Sequence, residues 1–302
     1  TSTNSSIGLI YALKKILIWI MNKLDIEKIS NQIRQIGVFS QKNIFEDKDF
    51  QFIFNQLSNL TKKEKKIYFP TSFNDYFIKF LKIDFKKIFL SKKLIKIADN
   101  LDFSKIASNI LEDEVYLEVL DCYLNKKSKN TILEWHNDIG YNSNSITTEK
   151  DFLEKAHSTI YKKKSKKSSM GVKFFIYMTD VKSNDGALGV IPHSHKIVFA
   201  LTKLILDKKI NLQSFWKLKD LRDILLDEDH KKYLLDYIER KELENFIENT
   251  KFVENSINES LDFDFAMSKN SVVIFDEMVV HRGSAPIYND RLVLRYLYRR
   301  KL

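Results

Sequence analysis

Cysteine is almost absent from this chain, since its 302 residues include one, Cys122. A single cysteine excludes an internal disulfide, and it also excludes the paired CxxC spacing of structural zinc sites. This composition is typical of proteins from a reducing compartment, so a cytoplasmic location is expected.

Proline and glycine are also scarce, with 3 and 7 residues respectively. The turns must therefore rely on Asn, Asp and Ser, which tolerate turn conformations through their own side-chain hydrogen bonds. No Gly-, Ser- or Pro-rich linker divides the chain. We therefore expect one continuous domain, with an N-terminal helical segment at 1–113 packing on a β-rich core at 114–302.

Acidic residues are outnumbered by basic ones, which gives a net charge of +10. Such a surplus is compatible with anionic partners. The lysines are not interleaved with aromatic residues in the way that nucleic-acid-binding surfaces require, so nucleic acid is not the expected partner. A small-molecule substrate is expected instead.

The longest apolar run, residues 7–24, contains Lys14 and Lys15 near its centre. Two charges at that depth make a transmembrane helix costly. The spacing of Ile10, Leu13 and Leu17 predicts a helix that packs on the protein's own core. Peripheral contact with a membrane surface stays open for this segment.

Helical periodicity fills the first third of the chain, at 25–36, 46–60, 74–80, 86–98 and 103–111. From residue 114 the pattern becomes β-rich, with strands predicted at 115–124, 131–136, 172–181, 187–191, 263–267 and within 272–298. A helical insertion at about 197–260 interrupts them, and it is either a mobile lid or a buttress. This order predicts a β-sandwich or barrel with helices packed against it.

Three residues form a candidate metal site. His136 and Asp138 are two residues apart on a predicted strand, so both side chains face the same side. His281, at the end of a late strand, completes a set of two imidazoles and one carboxylate. Non-haem Fe(II) oxygenases use this set because it leaves coordination positions open.

Three segments together carry a resemblance to a known family. They are residues 135–138 (WHND), residues 184–196 (NDGALGVIPHSHK) and residues 271–295. The sequence resembles the phytanoyl-CoA dioxygenase-like (PhyH) family of Fe(II)/2-oxoglutarate-dependent oxygenases. His193 stands where that family usually has glycine.

The resemblance implies a double-stranded β-helix (jelly-roll, cupin-like) core of mainly β structure with added helices. It implies that His136, Asp138 and His281 bind Fe(II), and that the cosubstrates are 2-oxoglutarate and O2. Arg291 matches the arginine that binds the distal carboxylate of 2-oxoglutarate, since a guanidinium pairs with a carboxylate through two hydrogen bonds.

Two further residues are candidates for binding the distal carboxylate of 2-oxoglutarate. Arg295 lies on the same strand face and is a rival for the same carboxylate. Ser284 is a further candidate for that carboxylate, although a turn-forming role fits it equally well.

A second histidine pair, His193 and His195, is a rival metal site. After Pro192 these residues are predicted to lie in a loop that leaves the barrel, with no carboxylate beside them. They are therefore not expected to bind metal.

The expected activity is that of a dioxygenase which hydroxylates an unactivated C–H bond of a small metabolite, lipid or saccharide, with release of succinate and CO2. In the resembling family, halogenating members carry a small residue where this chain has Asp138, so hydroxylation is favoured. The alternatives are a non-catalytic cupin-like protein that binds a metal or ligand, and a membrane-surface enzyme that modifies lipid-linked sugars.

Overall fold

Two antiparallel β-sheets form the centre of the computed structural model, which describes residues 24–72, 85–130, 133–138, 171–211, 216–236, 238–250 and 263–301. In chain order the strands are β1 (Val38–Lys42), β2 (Lys66–Phe69), β3 (Val115–Asn125), β4 (Leu133–Asn137), β5 (Gly171–Tyr177), β6 (Leu188–Val190), β7 (Trp216–Lys217), β8 (Asp264–Phe265), β9 (Ser271–Asp276), β10 (His281–Gly283) and β11 (Arg291–Arg300). Six of them form one sheet in the order β1-β9-β5-β11-β3-β2. The others form a second sheet in the order β7-β4-β10-β6-β8.

The helices cover the outer faces of the two sheets. They are α1 (Ile26–Ile36), α2 (Asp47–Thr61), α3 (Phe85–Asn100), α4 (Phe103–Leu111), α5 (Ser194–Leu206), α6 (Leu218–Leu226), α7 (Glu228–Leu234) and α8 (Arg240–Thr250). Helices α1 to α4 share an apolar core with the six-stranded sheet, and α5 to α8 share another with the five-stranded sheet. The strands that face inward between the sheets form a third apolar cluster.

Helix α1 shows how local sequence signals define an element. Asp25 caps its N-terminus by accepting a hydrogen bond from the Lys28 amide at 3.0 Å. Gly37 ends the helix in the left-handed conformation, at φ 88°, which residues with a Cβ rarely adopt. A Cβ at Gly37 would also lie 2.7 Å from His195 Nδ1, so glycine is required there for space as well.

The fold class predicted from the sequence is confirmed, because two facing antiparallel sheets enclose an apolar interior and helices pack outside them. The strand predicted at 115–124 is β3, and the one predicted at 172–181 begins as β5. Strand β5 is buried at every position, which explains its nearly continuous apolar sequence.

Several local predictions were wrong. The sequence did not predict β2, an edge strand that pairs with β3. The insertion is not purely helical, because it contributes β7, a two-residue strand beside β4. The helix α5 begins at Ser194, where a loop was expected. The described part of the insertion packs on the outer face of the five-stranded sheet, as a buttress does.

The segment predicted at 7–24, apart from its last residue, and the helix predicted at 74–80 lie outside the described residues. Leu24, at the end of the first of these, is buried in the helical core. Among the described helices, none combines the length and the apolar character that crossing a bilayer demands.

We expect Phe103→Ala to lower the free energy of unfolding by about 3–5 kcal/mol, measured by chemical denaturation. The ring of Phe103 is fully buried between α4 and the sheet, stacks on Phe174 at 4.3 Å and meets Tyr296 edge-on at 5.5 Å. Phe89→Ala is the matched control, since Phe89 is 70% exposed and its loss should change stability by less than about 0.5 kcal/mol. Equal effects of the two variants would contradict this packing of the helical layer.

Candidate metal centre

The pairing of β4 with β10 brings two histidines together from distant parts of the chain. His136 and His281 are directly opposite each other in the antiparallel register, and their ring centroids lie 4.4 Å apart. Asp138 follows two residues after His136 and therefore faces the same side. Its Oδ1 lies 3.5 Å from His136 Nε2, and its Oδ2 lies 3.6 Å from His281 Nε2.

The orientation of both imidazoles is set by backbone carbonyls. His136 Nδ1 donates to the Glu134 carbonyl at 2.6 Å, and His281 Nδ1 donates to the Val279 carbonyl at 3.0 Å. Each ring therefore carries its proton on Nδ1 and presents the lone pair of Nε2 towards Asp138. Ligand histidines in metalloproteins are oriented by this kind of outer hydrogen bond.

The electrostatics of the site favour neutral imidazoles, the protonation state that metal binding requires. Burial lowers the pKa of His136 to about 4, with a smaller contribution from the nearby charge of Lys173. Burial also lowers the pKa of His281 well below its ordinary value, and His136 and Lys173 act in the same direction. Both rings are therefore neutral at physiological pH.

His136, Asp138 and His281 thus form a group that could hold a metal ion, with ligand atoms within 4.8 Å of one another. Two neutral nitrogens and one carboxylate fit a divalent ion of the first transition series. The sequence predicted these three residues, and the structure brings them together.

Sequence analysis missed Lys173, which lies on β5 in the opposite sheet. Its Nζ contacts Asp138 Oδ2, and its side chain is nearly fully buried. Lysine is rarely buried unless it is paired, so a lysine within the apolar run VKFFIY was the signal that could have identified it.

Arg291, at the start of β11, is buried and forms no hydrogen bond through Nε or Nη2 with any residue that the structure describes. Its guanidinium lies over the rings of Tyr123 and Tyr177, with centroid distances of 5.9 and 5.8 Å. A buried guanidinium with free donors is costly unless an anion satisfies it. The position therefore suits a carboxylate ligand.

Arg295, the rival on the same strand face, has a carboxylate partner within the protein. Its Nε and Nη2 donate to the two carboxylate oxygens of Asp121 at 2.8 and 2.5 Å. Ser284 is also engaged, since its hydroxyl donates to the Ala187 carbonyl at 2.8 Å. Of the three candidates for carboxylate binding, Arg291 is the one with free donors.

The rival histidine pair, His193 and His195, lies away from the metal cluster. His193 is exposed, with φ 64°, and its amide donates to the Ile36 carbonyl. His195 is buried in the first turn of α5, where its Nε2 donates to the Arg34 carbonyl at 3.1 Å. This histidine connects α5 to the end of α1, so its role is structural.

No protein-family model matches the sequence, and no curated protein matches it. Solved structures resemble the chain in fold. The epimerase SnoN in complex with Fe3+, alpha ketoglutarate and nogalamycin RO has a TM-score of 0.51 at 11% identity, covering 91% of this chain and 83% of that chain. Apo HygX from Streptomyces hygroscopicus has a TM-score of 0.51 at 12% identity, with coverages of 91% and 87%.

HygX with nickel and 2-oxoglutarate bound has a TM-score of 0.50 at 13% identity, covering 93% of this chain and 88% of that chain. At these identities the likeness is one of fold, and it confirms the double-stranded β-helix expected from the sequence. Membership of the phytanoyl-CoA dioxygenase-like family in particular stays a prediction.

We expect His281→Ala and Asp138→Ala each to lower the affinity for a divalent metal by more than about 100-fold, because loss of an outer partner alone costs about 10- to 100-fold. Titration of the apoprotein with Zn(II) under anaerobic conditions measures this. His193→Asn is the control, since this exposed histidine lies outside the cluster and asparagine tolerates its positive φ. A loss of affinity in the control that equals the loss in His281→Ala would contradict the assignment.

The stability of the protein should depend on pH through the buried histidine His195. Burial lowers the pKa of His195 to about 4, below its ordinary value of 6.5. The unfolded state therefore takes up this proton first, and the contribution to stability is complete above pH 6.5 and is lost as pH falls towards 4. From this shift His195 should account for up to about 3 kcal/mol of acid destabilisation.

Denaturation curves of the wild type and His195→Gln at pH 7 and pH 4.5 measure the contribution of His195 to the loss of stability in acid. The buried histidines of the metal cluster titrate in both proteins, so the difference between the two isolates His195. The variant should be less stable at pH 7 but lose less stability on acidification. Parallel pH profiles would exclude the buried neutral state of His195.

Proposed function

We propose that this protein is an Fe(II)/2-oxoglutarate-dependent dioxygenase that hydroxylates an unactivated C–H bond of a small molecule. The observation that carries the proposal is a pair of features inside one barrel. One is the His136–Asp138–His281 cluster, and the other is the buried guanidinium of Arg291 with free donors. A metal site together with an unsatisfied cation suits a cosubstrate that both chelates metal and carries a second carboxylate.

His136 and His281 would bind the ion through Nε2, and Asp138 would bind it through one carboxylate oxygen. The Nδ1 bonds to Glu134 and Val279 hold both rings in place before the ion arrives. When bound, ferrous iron and 2-oxoglutarate supply the oxidation of a C–H bond by O2, with succinate and CO2 as products. Three protein ligands would leave coordination positions of the ion open for the cosubstrates.

The apolar residues between the sheets exclude water from this centre. Phe275 lies 5.4 Å from the ring of His281 and packs edge-on against Phe175 at 5.0 Å. Val273 and Val293 extend the same cluster. An environment of this kind protects reactive chemistry from side reactions with solvent.

The similar solved structures support the proposal through their fold, and some of them were solved with the cosubstrate proposed here. SnoN is described as an epimerase and was solved with Fe3+ and alpha ketoglutarate, and HygX was solved with 2-oxoglutarate. Hydroxylation is proposed because Asp138 supplies the carboxylate ligand of the site. A halogenating enzyme would need that coordination position free for a halide ion. The substrate is proposed to be a small metabolite, lipid or saccharide, handled by an enzyme of the cytoplasm.

Arg291 is proposed to bind the distal carboxylate of 2-oxoglutarate. We expect Arg291→Leu to weaken binding of 2-oxoglutarate to the metal-loaded protein by about 30- to 1,000-fold, the cost of about 2–4 kcal/mol for truncating one side of a buried charge pair. Isothermal titration under anaerobic conditions measures this affinity. Arg291→Lys should restore only part of it, because an ammonium cannot make the two-point contact.

Arg295→Leu is the matched control on the same strand face. Among the described residues it leaves the buried carboxylate of Asp121 paired with Lys66, at 3.7 Å, and should therefore lower stability. Its affinity for 2-oxoglutarate should stay within about threefold of wild type, a change of less than about 1 kcal/mol. The opposite pattern, with Arg295 controlling affinity, would reassign the carboxylate site.

Succinate formation with Fe(II), 2-oxoglutarate and O2 tests the activity itself, across a panel of candidate substrates. Metal and 2-oxoglutarate binding without succinate formation for any of them would favour the non-catalytic binding protein. Undiminished succinate formation in His136→Ala would remove the proposed site altogether.

A further inference from the structure

Lys173 lies within the barrel at the place where the metal cluster meets the opposite sheet. Its side chain is 5% exposed, and its Nζ contacts Asp138 Oδ2, the oxygen that also lies 3.6 Å from His281 Nε2. On β5 it faces inward together with Phe175, whereas Phe174 faces the helical layer. The Nζ also lies 5.9 Å from the ring centroid of Phe275.

Lys173 differs from two buried arginines in the position of its acidic partner. Arg295 pairs with Asp121 at 2.8 Å, and Arg299 pairs with Glu277 at 2.7 Å. These carboxylates lie outside the metal cluster. The carboxylate that Lys173 contacts is Asp138, which the proposed metal would also bind.

A divalent ion at the cluster changes the surroundings of this ammonium. The ion would share the charge of Asp138, and Lys173 would then lie close to a dication inside a dry barrel. Asp138 supplies one negative charge, against two positive charges on the ion and one on the ammonium, so the repulsion between the two cations favours a further anionic group beside them in a low-dielectric interior. The open positions of a facial site are where such a group would bind.

We propose that Lys173 is an anion-binding residue of the metal centre, whose ammonium binds a carboxylate placed at the open coordination positions. This inference rests on the proposed function and adds a second cation to it. Arg291 binds the distal carboxylate of the cosubstrate, and Lys173 binds a carboxylate next to the ion. That carboxylate belongs either to the keto-acid end of 2-oxoglutarate or to an acidic substrate.

Two other roles for Lys173 make different predictions. A purely structural lysine would hold Asp138 in place for the metal, and its removal would weaken metal binding. A lysine that turns towards Glu277, whose Oε2 is buried without a hydrogen-bond partner, would leave carboxylate binding unchanged when removed. As an anion-binding residue, Lys173 competes with the metal for Asp138, so its removal leaves metal affinity equal or higher.

The experiment compares Lys173→Met and Lys173→Gln with the wild type in the full-length protein. Lys196→Met is the matched control, because Lys196 is a partly buried lysine that pairs with Glu242 in the helical layer. Thermal unfolding first establishes that each variant is folded. Anaerobic Zn(II) titration then gives metal affinity, and calorimetric titrations with pyruvate and with 2-oxoglutarate give carboxylate affinity.

Pyruvate carries the keto-acid end of 2-oxoglutarate and lacks the distal carboxylate. If Lys173 binds the keto-acid end, Lys173→Met should weaken pyruvate and 2-oxoglutarate alike, by about 10- to 100-fold, the worth of a charged hydrogen bond. Arg291→Leu should weaken 2-oxoglutarate alone. Lys173→Gln should show a smaller loss, because an amide still donates a hydrogen bond but carries no charge.

A second experiment tests whether the carboxylate that Lys173 binds belongs to an acidic substrate. With 2-oxoglutarate bound, acetate is titrated into the wild type and into Lys173→Met. Acetate binding that disappears in the variant, with 2-oxoglutarate affinity unchanged, assigns Lys173 to the acid group of a substrate. Either positive arm supports the proposal.

The proposal is overturned if the affinities of Lys173→Met for pyruvate, 2-oxoglutarate and acetate all stay within twofold of wild type, or if its metal affinity falls in parallel with them. Failure of the proposed function gives a different result. In that case the wild type itself would bind neither Zn(II) at the cluster nor 2-oxoglutarate in its presence.

Discussion

The antiparallel pairing of β4 with β10 is the constraint on which the site depends. It places His136 opposite His281 across a separation of 145 residues (281 − 136) along the chain. The alternation of side chains along a strand then brings Asp138 to the same face. A shift of one residue in either strand would turn its side chains to the opposite face, so the register of one short ladder decides whether the cluster exists.

The rest of the fold holds that ladder in place from both sides. On the outer face, Trp135, Met278 and Val280 anchor it in the apolar core that they share with the insertion helices, and β7 extends the sheet beside β4. On the inner face, aromatic and β-branched residues of the six-stranded sheet fill the space around the imidazoles. Burial of the histidines is therefore a consequence of packing, and it lowers the pKa of each so that the nitrogen lone pairs are available.

The buried cationic side chains fall into two groups, according to whether they have acidic partners outside the metal cluster. Arg295 and Arg299 have acidic partners within the protein, so they add little net field of their own. Arg291 has free donors, and Lys173 contacts a residue of the metal cluster. Buried cations of the latter kinds are costly unless an anion satisfies them, and this cost is the physical basis of the proposed carboxylate-binding roles.

Local sequence determined much of this protein without the structure. The capped helix α1, the apolar strand β5 and the sheet-and-helix architecture follow from periodicity and from residue preferences within a few positions. His136 and Asp138 could be placed on one face because their spacing matches the strand repeat. These features depend on neighbours along the chain, which is why a single sequence is sufficient to predict them.

The tertiary structure decided whatever depends on distant partners. Arg291 and Arg295 look alike in sequence, and only the position of Asp121, 174 residues before Arg295, distinguishes them. The edge strands β2 and β7 are too short for a recognisable pattern and exist because neighbouring strands offer free hydrogen-bonding groups. Lys173 becomes part of the centre only when the two sheets face each other. Contacts between residues far apart in the chain are set by packing, and they cannot be predicted from the periodicity of a single segment.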